Sequence, residues 1–236
     1  MENTNKERKF DNFDEYAQDY RTIHNENIQI SGESSEYFAE FKIKWLQKNV
    51  KETSFTFLDF GCGDGTLADW FVKYFPEAKY FGIDISAESI KIAQLKNLQN
   101  TEFHTFDGIK IPFQDNYFNY SIAACVFHHI DHSLHPQVLD EIKRVLKTEG
   151  SFFLWEHNPL NPITRKVVSE CIFDKDCVLL KPSYSETIVR SAKFKNYKSD
   201  FVIFMPRKSI FKPFLFMENW FKKIPIGAQY ILTATK

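Results

Sequence analysis

Apolar positions along the chain change period several times, and each change marks an element. Phe55 to Phe60 reads as a buried strand, after which Leu67, Phe71 and Phe75 recur at helical spacing up to Pro76. Lys79 to Ile83 is a second strand, and Ser86 caps a helix carrying Ile90, Ile92, Ala93 and Leu95. Thr101 to Phe106 and Tyr117 to Val126 make a third and a fourth strand. Pro136 then opens a helix with Val138, Leu139, Ile142, Val145 and Leu146 on its inner face. A break at Lys147–Gly150 returns the chain to a fifth strand, Ser151 to Glu156. Beyond it, 158–181 reads as an irregular polar insertion, 185–192 as a helix, 199–205 as a strand, 211–222 as a helix and 228–235 as a last strand. The residues before Ser54 read as helical, with Tyr16, Ala17 and Tyr20 on one side.

Strands alternating with helices at this spacing require right-handed crossovers, and so predict a doubly wound, mainly parallel α/β sheet with helices on both faces. A chain of 236 residues suits one such domain: a helical cap over 1–53 and the sheet domain over 54–236, with 157–184 inserted.

In a sheet of this kind ligands sit beyond the carboxyl ends of the strands, where strand order reverses. The first strand-to-helix turn holds Gly61, Cys62, Gly63, Asp64 and Gly65, and missing Cβ atoms there let a ligand approach the backbone. Glycines in any tight turn look similar, so this signal is weak alone. Asp84, about twenty residues on at the end of the second strand, strengthens it, because a carboxylate there reaches ribose hydroxyls; its competing role is that of an acid near the N-terminus of the helix capped by Ser86. A dinucleotide fingerprint wants glycine or alanine where Thr66 stands, and Asp64 adds negative charge where a pyrophosphate would lie. A cofactor with an amino-acid tail and a sulfonium suits Asp59 and Asp64 better.

LDFGCGDGT, GIDIS, FDGIKIPF and FNYSIAACVFHHI, in this order, resemble the motifs of class I S-adenosylmethionine-dependent methyltransferases, covering Ser54 to about Glu156. EHNPLNPITRKVV, FDKD and IPIGAQY are similar to a group of bacterial enzymes of that class. The resemblance implies a Rossmann-like sheet of seven strands with the last antiparallel, and S-adenosyl-L-methionine as cofactor, released as S-adenosyl-L-homocysteine. It implies that Asp59, Gly61 and Gly63, with Cys62 between them, line the methionine part. Asp84 would hold the ribose, Ile85 would lie against the adenine, and Asp107 beside Gly108 would accept from the adenine amino group. Cys125 and Val126 would lie beneath the methionine moiety with His128 just beyond. Asn119 departs from the pattern, standing where many relatives place an aspartate, at a position expected to be structural.

Methyl transfer needs alignment and exclusion of water more than catalytic groups. For a hydroxyl acceptor a general base helps, and the candidates are His157 first, with His128 and Glu156, and His129 beside them. The competing roles are strand-end packing for the histidines, and anchoring of the insertion through Asn158 and Arg165 for Glu156 and His157. Tyr20 is expected to close over the sulfonium, and Arg165 to face an acidic acceptor or else to pair with Asp174 or Asp176. The run HHIDHSLH raises a metal reading, but the helix begins after the cluster, so helical ligand spacing is lacking; no metal is expected, and Cys171 and Cys177 are read as packing residues.

Composition narrows the partners. Lys and Arg number 30 against 31 Asp and Glu, so no bulk field draws nucleic acid or an anionic membrane. The four cysteines form no CxxC pair, the N-terminus lacks the apolar core of a signal peptide, and no apolar run nears the roughly 20 residues of a membrane helix. A cytoplasmic setting is expected. The aromatic stretch with Phe204, Phe211, Phe214, Phe216, Trp220 and Phe221 suits an apolar acceptor, a homodimer face, a membrane-surface contact or plain core. The reading that results is methyl transfer to a small molecule, at oxygen. Its rivals are a nucleic-acid or protein methyltransferase, an NAD-dependent oxidoreductase and a catalytically silent cofactor-binding module.

Overall fold

The structure, a computed structural model, describes residues 34–172, 174, 177–204 and 221–236. Tyr16 and Tyr20, most of the 211–222 helix and Asp176 lie outside the described residues. Helix α1 (Ser35–Asn49) is capped by Ser34, whose hydroxyl accepts from the Tyr37 N–H. Then β1 (Thr56–Phe60), α2 (Thr66–Tyr74), β2 (Lys79–Asp84), α3 (Ala87–Leu95), β3 (Thr101–Thr105) and β4 (Phe118–Ala124) alternate. A single 3₁₀ turn, Phe127–His129, leads to α4 (His135–Val145) and β5 (Leu146–His157). The chain ends with α5 (Pro162–Glu170), α6 (Pro182–Ser191), β6 (Lys195–Val202) and β7 (Gln229–Thr235).

One seven-stranded sheet results, in the order β3-β2-β1-β4-β5-β7-β6. Strands β1 to β5 pair in parallel, and β7 runs antiparallel to both β5 and β6. This is the expected doubly wound sheet with its last strand antiparallel. Strand order reverses between β1 and β4, so the loops after these two strands face one crevice.

Alternation along the buried strands feeds two cores. Phe57, Tyr80, Phe103, Ile122, Phe153 and Trp155 pack against α1, α2 and α3, with Trp45 edge-on to Phe153 and Trp155. Leu58, Phe60, Phe81, Ile83, Phe152 and Leu154 pack on the other face against α4 and α6. Helix α4 has Val138, Leu139, Ile142 and Val145 wholly buried, a stripe at helical spacing behind a proline in its first turn.

Three expectations are corrected. The insertion is not irregular throughout: Asn161 accepts from the Ile163 and Thr164 N–H groups and Pro162 follows at the first helical position, so Asn-Pro starts α5. The break before the fifth strand lies inside β5. Glu149 adopts φ 62°, and a Cβ on Gly150 would sit 2.8 Å from the Lys147 carbonyl, so the turn residues form an irregularity within the strand. Strand β6 begins at Lys195 and ends at Val202, earlier than its apolar residues indicated, because the first half of this edge strand is polar and exposed.

Candidate active site

The turn after β1 is built from backbone. Gly61, Gly63 and Gly65 all have positive φ (76°, 53° and 73°), and the Gly61 and Cys62 N–H groups both donate to the Ile83 carbonyl, tying the turn to β2. Their surroundings differ. A Cβ on Gly61 would lie 2.5 Å from a Val126 methyl, and one on Gly65 would meet Ala93 and Phe103 at 3.1 Å. Among the described residues a Cβ on Gly63 would meet nothing within 4 Å. Gly61 and Gly65 are therefore required by the protein's own packing, whereas Gly63 faces open space. Val126, expected beneath a ligand, is the residue that presses on Gly61.

The Gly63 N–H donates to Asp84 Oδ2 at 2.8 Å, and the Ser86 N–H to Asp84 Oδ1 at 2.9 Å. Asp84 is thus oriented by backbone at both oxygens, and a carboxylate oxygen accepts more than one donor. Cys62 is buried under the turn, and burial pushes its thiol well above the usual range. Asp64 Oδ1 accepts from the Thr66 N–H and hydroxyl, closing the first turn of α2. Asp59, 2% exposed, bonds to the Tyr80 hydroxyl; burial pushes its carboxyl up to about 7, with Tyr80 acting in the opposite sense. Asp107 Oδ1 accepts from the Ile109 and Lys110 N–H groups, which hold it below the usual carboxylate range. Gly108 (φ 85°) leaves Ile85 at 3.3 Å from where its Cβ would stand. Cys125 takes φ 60° with its N–H on the Trp155 carbonyl, and burial raises its thiol to about 11.

Across the crevice, at the ends of β4 and β5, lies a second assembly made of side chains. Glu156 is fully buried; its Oε1 accepts from the Phe127 N–H at 2.9 Å and its Oε2 lies 2.6 Å from His128 Nδ1. His128 Nε2 faces Asp174 Oδ1 at 3.4 Å, and His129 Nε2 faces the same oxygen at 3.3 Å. His129 Nδ1 is 3.0 Å from Cys177 Sγ, and the His157 ring is 5.4 Å from that of His128. Burial works against an imidazolium at His128, but Glu156 and Asp174 outweigh it and hold the ring's pKa well above its ordinary value. Burial would raise the Glu156 and Asp174 carboxyls as well, and the facing histidines instead keep both below their ordinary values. His157 is lowered to about 4 by burial and by the charge on His128, and burial also lowers His129.

The expected candidates His128, Glu156 and His157 are thus brought together. Glu156 does not anchor the insertion; it orients His128, while Asn158 holds the Pro225 and Gly227 carbonyls. Asp174 faces two histidines rather than Arg165. Cys177 is not a mere packing residue, since it meets His129, whereas Cys171 is buried. Asp174 was missed as a site residue because nothing local ties it to residues 46 positions away. The FDKD acids following a helix start signal were the available clue. Asn119, the departure noted above, accepts from the Thr56 N–H and hydroxyl and from Lys147, fastening β4 to β1. The other two histidines of the run lie away from Asp174: His135 bonds the Phe127 carbonyl and Tyr184, and His132 stacks on Tyr184.

Residues 58–154 match the family described as "Methyltransferase domain". An uncharacterized methyltransferase of Schizosaccharomyces pombe is 29% identical over 142 residues, 56% of this chain and 47% of that one. The chain spans about half the length of the curated relatives it matches. Among solved structures, a SAM-dependent methyltransferase from Thermotoga maritima superposes with a TM-score of 0.68 at 16% identity, covering 95% of this chain and 98% of the other. Phosphoethanolamine N-methyltransferase 2 of Haemonchus contortus, solved with S-adenosyl-L-methionine, gives 0.66 at 16% identity, covering 97% of this chain and 59% of the other. At such identities the likeness speaks to the fold. With the glycine turn, Asp84 and the β3-β2-β1-β4-β5-β7-β6 sheet in place around residues 58–154, which match the methyltransferase-domain family, the chain has the fold of the solved S-adenosylmethionine-dependent methyltransferases.

Proposed function

We propose that this chain transfers the methyl group of S-adenosyl-L-methionine to a small-molecule acceptor at oxygen. The observation that carries the cofactor half of this reading is the contrast at the glycine turn: among the described residues Gly63, unlike Gly61 and Gly65, has no neighbour within 4 Å of where its Cβ would stand, and its N–H donates to Asp84 Oδ2. Such a cradle fits a nucleoside whose sugar hydroxyls meet a carboxylate. Asp84 would take the ribose, Asp107 and Ile85 the adenine end, and Gly61, Gly63 and Asp59 the methionine end. Bound there, the cofactor supplies an electrophilic methyl carbon on a sulfonium.

The chain's own residues then position and deprotonate. Lys42 of α1 holds its ammonium 5.5 Å from the ring centre of the buried Trp155. His157 ends β5 at the acceptor side and takes the proton that a hydroxyl sheds as its oxygen forms the new bond to carbon. Glu156 holds His128 in one orientation beside it. Small-molecule choice is supported by the charge balance, 30 Lys and Arg against 31 Asp and Glu, which gives no bulk field to draw nucleic acid. Among the described residues no helix is long and apolar enough to cross a membrane.

Calorimetric titration with S-adenosyl-L-homocysteine beside NAD tests the cofactor. The expected result is one homocysteine-ligand site per chain and no heat from NAD; the reverse overturns the reading. Asp84→Ala should weaken the adenosyl ligand by about 10–100-fold, the loss of charge-assisted hydrogen bonds worth about 1.5–3 kcal/mol. Labelled methyl groups recovered from cell extract on small molecules as ethers or esters would support oxygen transfer, and label recovered only on protein or nucleic acid would overturn it.

A further inference from the structure

The assembly around Asp174 has a feature that proton transfer does not use. One ligating atom each from His128, His157 and Asp174 lie within 4.8 Å of one another, contributed by three separate stretches: the turn after β4, the end of β5 and the loop after α5. We propose that these three side chains bind a divalent first-row transition-metal ion, in a two-histidine, one-carboxylate site with an open position toward the crevice.

Two further observations support this beyond mere proximity. The first is how His128 is held. Its Nδ1 is fixed on Glu156 Oε2 at 2.6 Å, and Glu156 is itself fixed by the Phe127 N–H, so the remaining nitrogen, Nε2, is presented toward Asp174. A buried carboxylate that orients the far nitrogen of a metal-ligating imidazole is the usual outer support of such sites. The second is distance. A charge-assisted N–H···O bond is normally about 2.7–2.9 Å long, yet Asp174 Oδ1 stands 3.4 Å from His128 Nε2 and 3.3 Å from His129 Nε2. Two ligands each about 2.0 Å from a tetrahedral ion are roughly 3.3 Å apart. The His128–Asp174 spacing thus suits two ligands on one ion as well as a long hydrogen bond.

Nitrogen and oxygen donors with no thiolate select zinc, iron, cobalt or manganese over softer ions. His129, Asp174 and Cys177 form a second cluster that shares Asp174, so an ion there and an ion at the first site compete for one carboxylate. The buried, Glu156-supported set is the one assigned. This inference stands apart from methyl transfer; where both hold, the ion would take the His157 lone pair and would lower the pKa of an acceptor hydroxyl bound to it, whose proton would then pass to solvent rather than to His157.

Chelator-treated full-length protein titrated with Zn²⁺ in a calorimeter, and with Co²⁺ followed by its visible absorption, tests the site without recourse to activity. One ion per chain is expected, with four- or five-coordinate cobalt bands. Asp174→Asn and His157→Gln should each weaken binding at least about 100-fold, and Glu156→Gln about 10–100-fold, while Cys177→Ser stays within about threefold. Retained binding of S-adenosyl-L-homocysteine by each variant shows that it is folded, and keeps this result separate from the cofactor assignment. Absence of stoichiometric binding to the wild-type protein overturns the proposal. So does equal affinity in Asp174→Asn and His157→Gln, or a large loss in Cys177→Ser with none in His157→Gln, which would move the ion to the other cluster.

Discussion

The two banks of the crevice are built by different means. On the β1–β2 side the site is backbone: three positive-φ glycines and the N–H groups that aim Asp84, all within Gly61–Ser86. On the β4–β5 side it is side chain on side chain, with Glu156, His128, Asp174, His129 and Cys177 drawn from distant stretches. A backbone-built site is insensitive to most substitutions except at the glycines and at Asp84, because the chain's own conformation makes the rest of it. A site of buried charges is sensitive at every member, since each leaves an uncompensated partner when removed.

The largest effect that would break this contrast is at Glu156. Glu156→Ala leaves a buried imidazolium facing only Asp174 and an unpaired Phe127 N–H, and should cost about 3–5 kcal/mol in urea denaturation; a loss under about 1 kcal/mol would mean that the cluster is wet and loosely held. Nearly as large is a pH effect confined to the other bank. Asp59 titrates at about 7 when folded, above its unfolded value, so the unfolded state gives up the proton first. Stability owed to this group is full below about pH 4, declines from there to about pH 7 and is flat above, a span on the order of 4 kcal/mol. Asp59→Asn should remove that decline, read as the difference between wild-type and variant melting profiles; parallel profiles would show that Asp59 is ionised in the fold at neutral pH.

Smaller effects sharpen the comparison within the glycine turn. Gly61→Ala meets Val126 as well as an unfavourable φ and should lose about 2–4 kcal/mol of stability. Gly63→Ala pays only the φ cost, about 1–2 kcal/mol, and its larger consequence should appear as weakened S-adenosyl-L-homocysteine binding. Equal losses of stability would dissolve the distinction between a glycine kept for packing and one kept for a ligand. The smallest effect is at the start of α5, where Asn161→Ala removes a cap worth about 1 kcal/mol.

How far each region was legible in the sequence follows the same division. Strand and helix order to Val145 was readable because every element there carries a local period, as Val138, Leu139, Ile142 and Val145 do in α4. Helix α5 was not, since 158–181 read as an irregular polar insertion although Asn161-Pro162 is a helix start. The early half of β6 was hidden by its exposed, polar edge. At the site, Asp84 and the glycines were legible from their spacing along the 24 residues from Gly61 to Asp84. Asp174 and Cys177 were not, because no periodicity reports a contact made across the insertion.

The amino-acid order alone determined the doubly wound sheet, the glycine turn and its acidic partner, because backbone conformation and hydrophobic period are properties of short stretches. Tertiary structure decided that Gly63 and not Gly61 faces open space, that Glu156 orients His128, and that His128, His157 and Asp174 converge. Those outcomes depend on which distant side chain fills a given volume, and only the packed fold settles that.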